Sequence, residues 1–81
     1  MQTRTVRVKG VREGDLAAQL RELQERSPDV ALGSYPWYGA DSFGAHLVAR
    51  SADPAALDAA TDQLLALVRG LGVEPELVGE A

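Results

Sequence analysis

Residues Thr3 to Lys9, TRTVRVK, alternate strictly, with Val6 and Val8 on one side and Thr5, Arg7 and Lys9 on the other. That period of two predicts a half-buried strand rich in β-formers. Gly10 to Gly14 breaks the alternation, and from Asp15 the period changes. Leu16, Leu20 and Leu23 then recur at helical spacing, with Ala17 widening the stripe and Arg21, Glu22, Glu25 and Arg26 opposite it. An amphipathic helix is expected to about Arg26, stopped by Ser27-Pro28-Asp29 because the residue before a proline is pushed out of helical geometry. Val30 to Tyr35 reads as a second strand, which Pro36 must end or confine to a sheet edge, since proline donates no ladder hydrogen bond. Gly39 to Ser42 is turn chemistry, and Phe43 to Arg50 is a third strand whose Phe43, Ala45, Leu47 and Ala49 share a face. Asp53-Pro54 opens a second helix, with Asp53 as cap and Pro54 at the first helical position. Leu57, Ala60, Leu64, Leu67 or Val68, and Leu71 form its stripe, and Gly72 supplies a left-handed stop. Val73 to Val78 is a short final strand, held at an edge by Pro75, and 79–81 is expected to fray.

The order strand, helix, strand, strand, helix, strand specifies an α+β fold. Each helix has a single apolar stripe, so both bury it on the same sheet face. Right-handed crossovers then give a two-layer ferredoxin-like sandwich, an antiparallel sheet with its first and third strands central and one face left open. With 81 residues the chain has core enough for one domain, spanning 1–78.

Composition narrows the chemistry. Absence of cysteine removes disulfides and thiolate metal sites, and a single histidine leaves little for zinc. No apolar run reaches the span of a bilayer and no signal-peptide pattern opens the chain, so a cytoplasmic setting is the default expectation. Half of the eight Lys and Arg residues fall in the first twelve positions, which hold no acid; the rest carries four bases against twelve acids, a formal −8. A chain acidic in bulk is a poor partner for nucleic acid, but Arg4, Arg7 and Lys9 form a local strip able to contact phosphates.

Other candidates dissolve on inspection. His46 and Ser34 invite a nucleophile–base reading, yet side-chain parity sets them on opposite sides of a regular hairpin, and no carboxylate is placed to orient the histidine. Asp58 and Asp62 lie four apart on the polar side of the second helix, as solvated carboxylates do. Gly10-Val-Arg-Glu-Gly14 precedes a helix but matches neither phosphate-loop spacing. Tyr35, Pro36, Trp37 and Tyr38, with Phe43 across the turn, are the least ordinary feature, because aromatics around a proline are costly to expose and are enriched where proteins meet.

Gly33-Ser-Tyr-Pro36, Phe43-Gly-Ala-His-Leu-Val-Ala-Arg50 and Asp53-Pro-Ala-Ala-Leu57, preceded by Thr5-Val-Arg-Val and Glu13-Gly-Asp-Leu16, together resemble one known pattern. It is that of the C-terminal segment of the competence/damage-inducible protein A family, the molybdopterin-binding-like proteins. The resemblance covers essentially the whole chain. It implies that the nucleotide-handling site, linked to ADP-ribose or FAD pyrophosphate hydrolysis, belongs to an upstream α/β domain, and that in some members a downstream domain deamidates nicotinamide mononucleotide. No catalytic residue carries over to these residues, and no cofactor is implied here. The segment is sometimes described as KH-like, but no G-x-x-G loop stands between its helices. The expectation is therefore a non-catalytic accessory domain that docks on the upstream nucleotide-binding domain or self-associates, through Tyr35, Pro36, Trp37, Tyr38 and Phe43. The alternative is a small module for nucleotide or single-stranded nucleic acid, using Arg4, Arg7 and Lys9.

Overall fold

The computed structural model describes residues 1–80, in the order β1 (Gln2–Lys9), α1 (Glu13–Arg26), β2 (Ala31–Tyr38), β3 (Phe43–Ser51), α2 (Pro54–Gly70) and β4 (Glu76–Glu80). The strands form one antiparallel sheet ordered β2-β3-β1-β4, so the first and third strands are central, as expected from the element order and right-handed crossovers. Val6 and Val8 of β1 and Ala45, Leu47 and Ala49 of β3 are buried with Leu16 and Leu23 of α1 and Leu57, Ala60, Leu64 and Val68 of α2 in one core. Both helices thus cover one sheet face. The α+β ferredoxin-like architecture is as expected.

The ends of the helices follow their sequences. Asp53 caps α2, its Oδ1 accepting from the amides of Ala55 (3.0 Å) and Ala56 (3.4 Å), with Pro54 in the first turn. Gly72 lies just past the helix at φ +82°, the left-handed geometry that favours glycine. At the start of α1 the Asp15 carboxylate accepts from the Arg12 amide at 3.3 Å, which satisfies a donor that the first helical turn leaves free.

Four boundaries differ from the pattern by two residues or more. The first helix begins at Glu13, two residues early, because the Asp15 cap lies inside it. Strand β2 does not stop at Pro36 but runs to Tyr38; it is an edge strand, so the missing proline donor faces outward and breaks no ladder. The last strand starts only at Glu76, after Pro75, and continues to Glu80, taking in 79 and 80 of the expected tail; Ala81 lies outside the described residues. In α2 Val68 is buried and Leu67 only partly so, while Leu71 is exposed beyond the helix end, and in α1 Ala17 is exposed. No helix among the described residues is long and apolar enough to cross a membrane.

Candidate functional site

Residues directly opposite in an antiparallel pair share a sheet face, so the register assigns every strand side chain to a layer. Tyr35 pairs with His46, His46 with Arg7, and Arg7 with Glu76, giving one row across all four strands. Arg7 lies between Val6 and Val8, which are buried under the helices, so this row lies on the opposite, uncovered face. The next row is Trp37, Gly44 and Lys9. Ser34 pairs with the buried Leu47 and therefore faces the helices, which separates it from His46 as parity requires.

Trp37 organises the open face. A Cβ built on its partner Gly44 would lie 2.8 and 2.9 Å from Trp37 Cζ2 and Cε2 and would overlap the Val8 carbonyl oxygen, so the indole rests on a position only glycine can hold. The Arg7 guanidinium stands 4.2 Å from the ring centroid, a cation–π stack, and the His46 ring is 6.4 Å away, tilted by 31°. Trp37 Nε1 is buried and has no hydrogen-bond partner. Tyr35 folds back on its own strand, its ring 3.1 Å from where a Gly33 Cβ would sit, and remains 58% exposed. Lys9 and Arg7 share a shallow depression with Ser42, Glu74 and Glu76, which places acid beside the basic strip.

The sequence-proposed residues therefore divide. Tyr35 and Trp37 belong to the open face with Arg7 and Lys9. Pro36, Tyr38 and Phe43 turn to the helical side and line, with Arg12, Gly14 and Gly44, a concavity at the N-terminal end of α1. There Arg12 stacks on Phe43 at 5.4 Å, and Tyr38 is 82% exposed. Arg4 is separated from Arg7 and Lys9: it faces the helical layer, its side chain 13% exposed, and Nη2 donates to Asp58 of α2 at 3.3 Å. The three-residue phosphate strip is in fact two residues on this face. The signal was in the alternation, since Arg4 has the parity of Val6 and Val8. Asp58 and Asp62 are both exposed, and no group of acidic or histidine side chains among the described residues is arranged to hold a metal.

One residue of consequence had no sequence signal. Gln24, on the partly buried side of α1, donates from Nε2 to the carbonyls of Val30 (2.6 Å) and Ser27 (3.2 Å) and accepts at Oε1 from the Leu32 amide (2.9 Å). Its carboxamide stands in for a neighbouring strand at the start of the β2 edge.

No curated protein and no solved structure gave a match. Residues 1–76 match the family described as FAD synthase, middle domain, a molybdopterin-binding-like region related to the one that the sequence resembles. With nearly its whole length covered, the chain belongs to the FAD synthase middle-domain family.

Proposed function

We propose that this domain is a non-catalytic accessory unit that docks its open sheet face on a neighbouring domain of the same protein. The supporting observation is the Trp37 cluster: a large indole with a buried, unpartnered N–H, stacked under Arg7 beside Tyr35 and His46, on a sheet face that no element among the described residues covers. Buried donors ordinarily find acceptors, and aromatic and arginine side chains are enriched in the centres of protein interfaces. The family description supports the direction, since a middle domain has neighbours on both sides. No nucleophile, base and orienting carboxylate stand together among the described residues, so the chemistry of the whole protein belongs in this reading to other domains. Docking on an upstream nucleotide-binding domain is preferred over self-association because the matching family is described as a middle domain, which has a domain before it.

Trp37 is the only tryptophan, which makes the test direct. Titrating the chain with its separately produced upstream domain should shift the Trp37 emission to the blue, and Trp37→Ala should abolish binding measured by calorimetry. Unchanged emission at saturating partner would remove the docking reading; concentration-dependent sedimentation of the chain alone would replace it with self-association.

A second reading rests on the same ring. Trp37 beside Arg7 and Lys9 offers a stacking platform next to two cations, the combination that binds single-stranded nucleic acid or a nucleotide. Glu74 and Glu76 on the adjoining strand side oppose it. Binding through those cations must weaken as salt rises, so a salt-insensitive dissociation constant would exclude it.

A further inference from the structure

We infer that the groove between α1 and the free edge of β2 receives the end of an extended peptide that terminates in an apolar residue and a free carboxylate. The groove holds about 330 Å³ and is lined by Ala17, Leu20, Arg21 and Gln24 from the helix and by Leu32 and Ser34 with the intervening Gly33 from the strand.

The backbone sets the geometry. Strand β2 has a neighbour on one side only. Backbone groups alternate in direction along a strand, and the bonds of Val30 O and Leu32 N to the Gln24 carboxamide mark the even-numbered residues as those facing the free edge. The N–H and C=O of Ser34 therefore face outward next, and Pro36 after it has no N–H to offer. Gln24 closes the edge at one end and Pro36 at the other, leaving an opening one ladder residue long. The edge thus accepts a chain end, whereas a long added strand would meet both stoppers.

The chemistry at that opening selects the ligand. Ser34 Oγ is buried without a hydrogen-bond partner on the groove side of the strand. Arg21 is the one charged residue lining the groove and makes no ion pair among the described residues. The Ser34 amide, the Ser34 hydroxyl and the Arg21 guanidinium are all donors, and a carboxylate is the acceptor-only group that can take several at once. Beside them Ala17, Leu20 and Leu32 present apolar surface, Leu20 and Leu32 only partly buried, suited to one aliphatic side chain. Strand addition with a side-chain pocket and a captured carboxylate is an established mode of peptide recognition. A second copy of β2 does not fit the same opening. Centred on Ser34, it would set its Pro36 against Leu32, whose amide Gln24 already holds.

The test uses N-acetylated tripeptides ending in Leu, Ile, Val, Phe or Met, each as free acid and as C-terminal amide, titrated into isotopically labelled chain. Amide shifts centred on Leu32, Gly33 and Ser34 and on Ala17 to Gln24 are expected for at least one free acid at millimolar concentration or below. Its amide, and the exposed-site variant Arg21→Gln, should bind about tenfold more weakly. Ser34→Ala, which keeps the backbone donor, should lose less. The inference is overturned if no free acid moves these resonances at millimolar concentration, if amides bind as well as acids, or if the shifts fall on Tyr35 and Trp37.

Discussion

A glutamine on the side of a helix looks interchangeable with any polar residue until its partners are counted. Gln24 satisfies Val30 O, Ser27 O and Leu32 N with one carboxamide, closing the α1–β2 connection and occupying the first outward pair of the β2 edge. Replacing it by leucine keeps the bulk and leaves Val30 O and Leu32 N without their partner, while Ser27 O keeps the Val30 amide. Unmade hydrogen bonds of this kind are costly, so Gln24→Leu should destabilise the domain by about 2 kcal/mol. Urea denaturation should show a lower midpoint at an unchanged slope, the mark of a change in stability rather than in the unfolded state. Arg4 teaches the complementary lesson. Its layer was readable from parity alone, but its partner was not, because Asp58 is 54 residues away on a helix whose approach to β1 depends on the assembled core.

Helix ends are the elements where local sequence is most decisive. Asp53-Pro54 and Gly72 bracket α2 as their chemistry dictates, since capping and left-handed backbone are settled within a few residues. Removing the cap with Asp53→Ala should cost about 1 kcal/mol. Gly72→Ala meets no steric obstacle from neighbouring atoms, yet its φ of +82° should make it cost about 1 kcal/mol as well. Thermal unfolding of the two single variants and the double variant checks both; the sites sit at opposite ends of the helix, so the losses should add. Strand limits were less legible. Proline is a stop signal only where a ladder needs its donor, and whether β2 is an edge is a property of the sheet. For the same reason the aromatic run read as one patch, although residues 35 and 37 must lie on the opposite face from 36 and 38 once the strand continues through the proline.

At the scale of the molecule, two layers mean that one sheet face carries the fold while the other is left for use. The layer count was legible, because each helix has a single apolar stripe and two right-handed crossovers return both helices to the same sheet face. What sits on the open face was legible only in part: Arg7, Lys9 and His46 by parity, but the placement of Trp37 across Gly44 required the β2–β3 register. Adjacent residues on β3 test this division most sharply. Leu47 is fully buried between Val6 and the helices, and Leu47→Ala should cost about 3 kcal/mol through lost burial and the cavity left behind. His46 points the other way, towards Trp37, and His46→Ala should change stability by no more than about 0.5 kcal/mol, as substitutions on an uncovered surface do. Denaturant midpoints of the two variants measured side by side give the comparison. Equal losses would mean that the second face is already packed against something, most simply another copy of the chain, and the concentration dependence of the His46→Ala loss would identify that copy. A wide gap would instead leave His46 free of any task in folding, so that a defect of His46→Ala in binding the neighbouring domain could be assigned to the docking face alone.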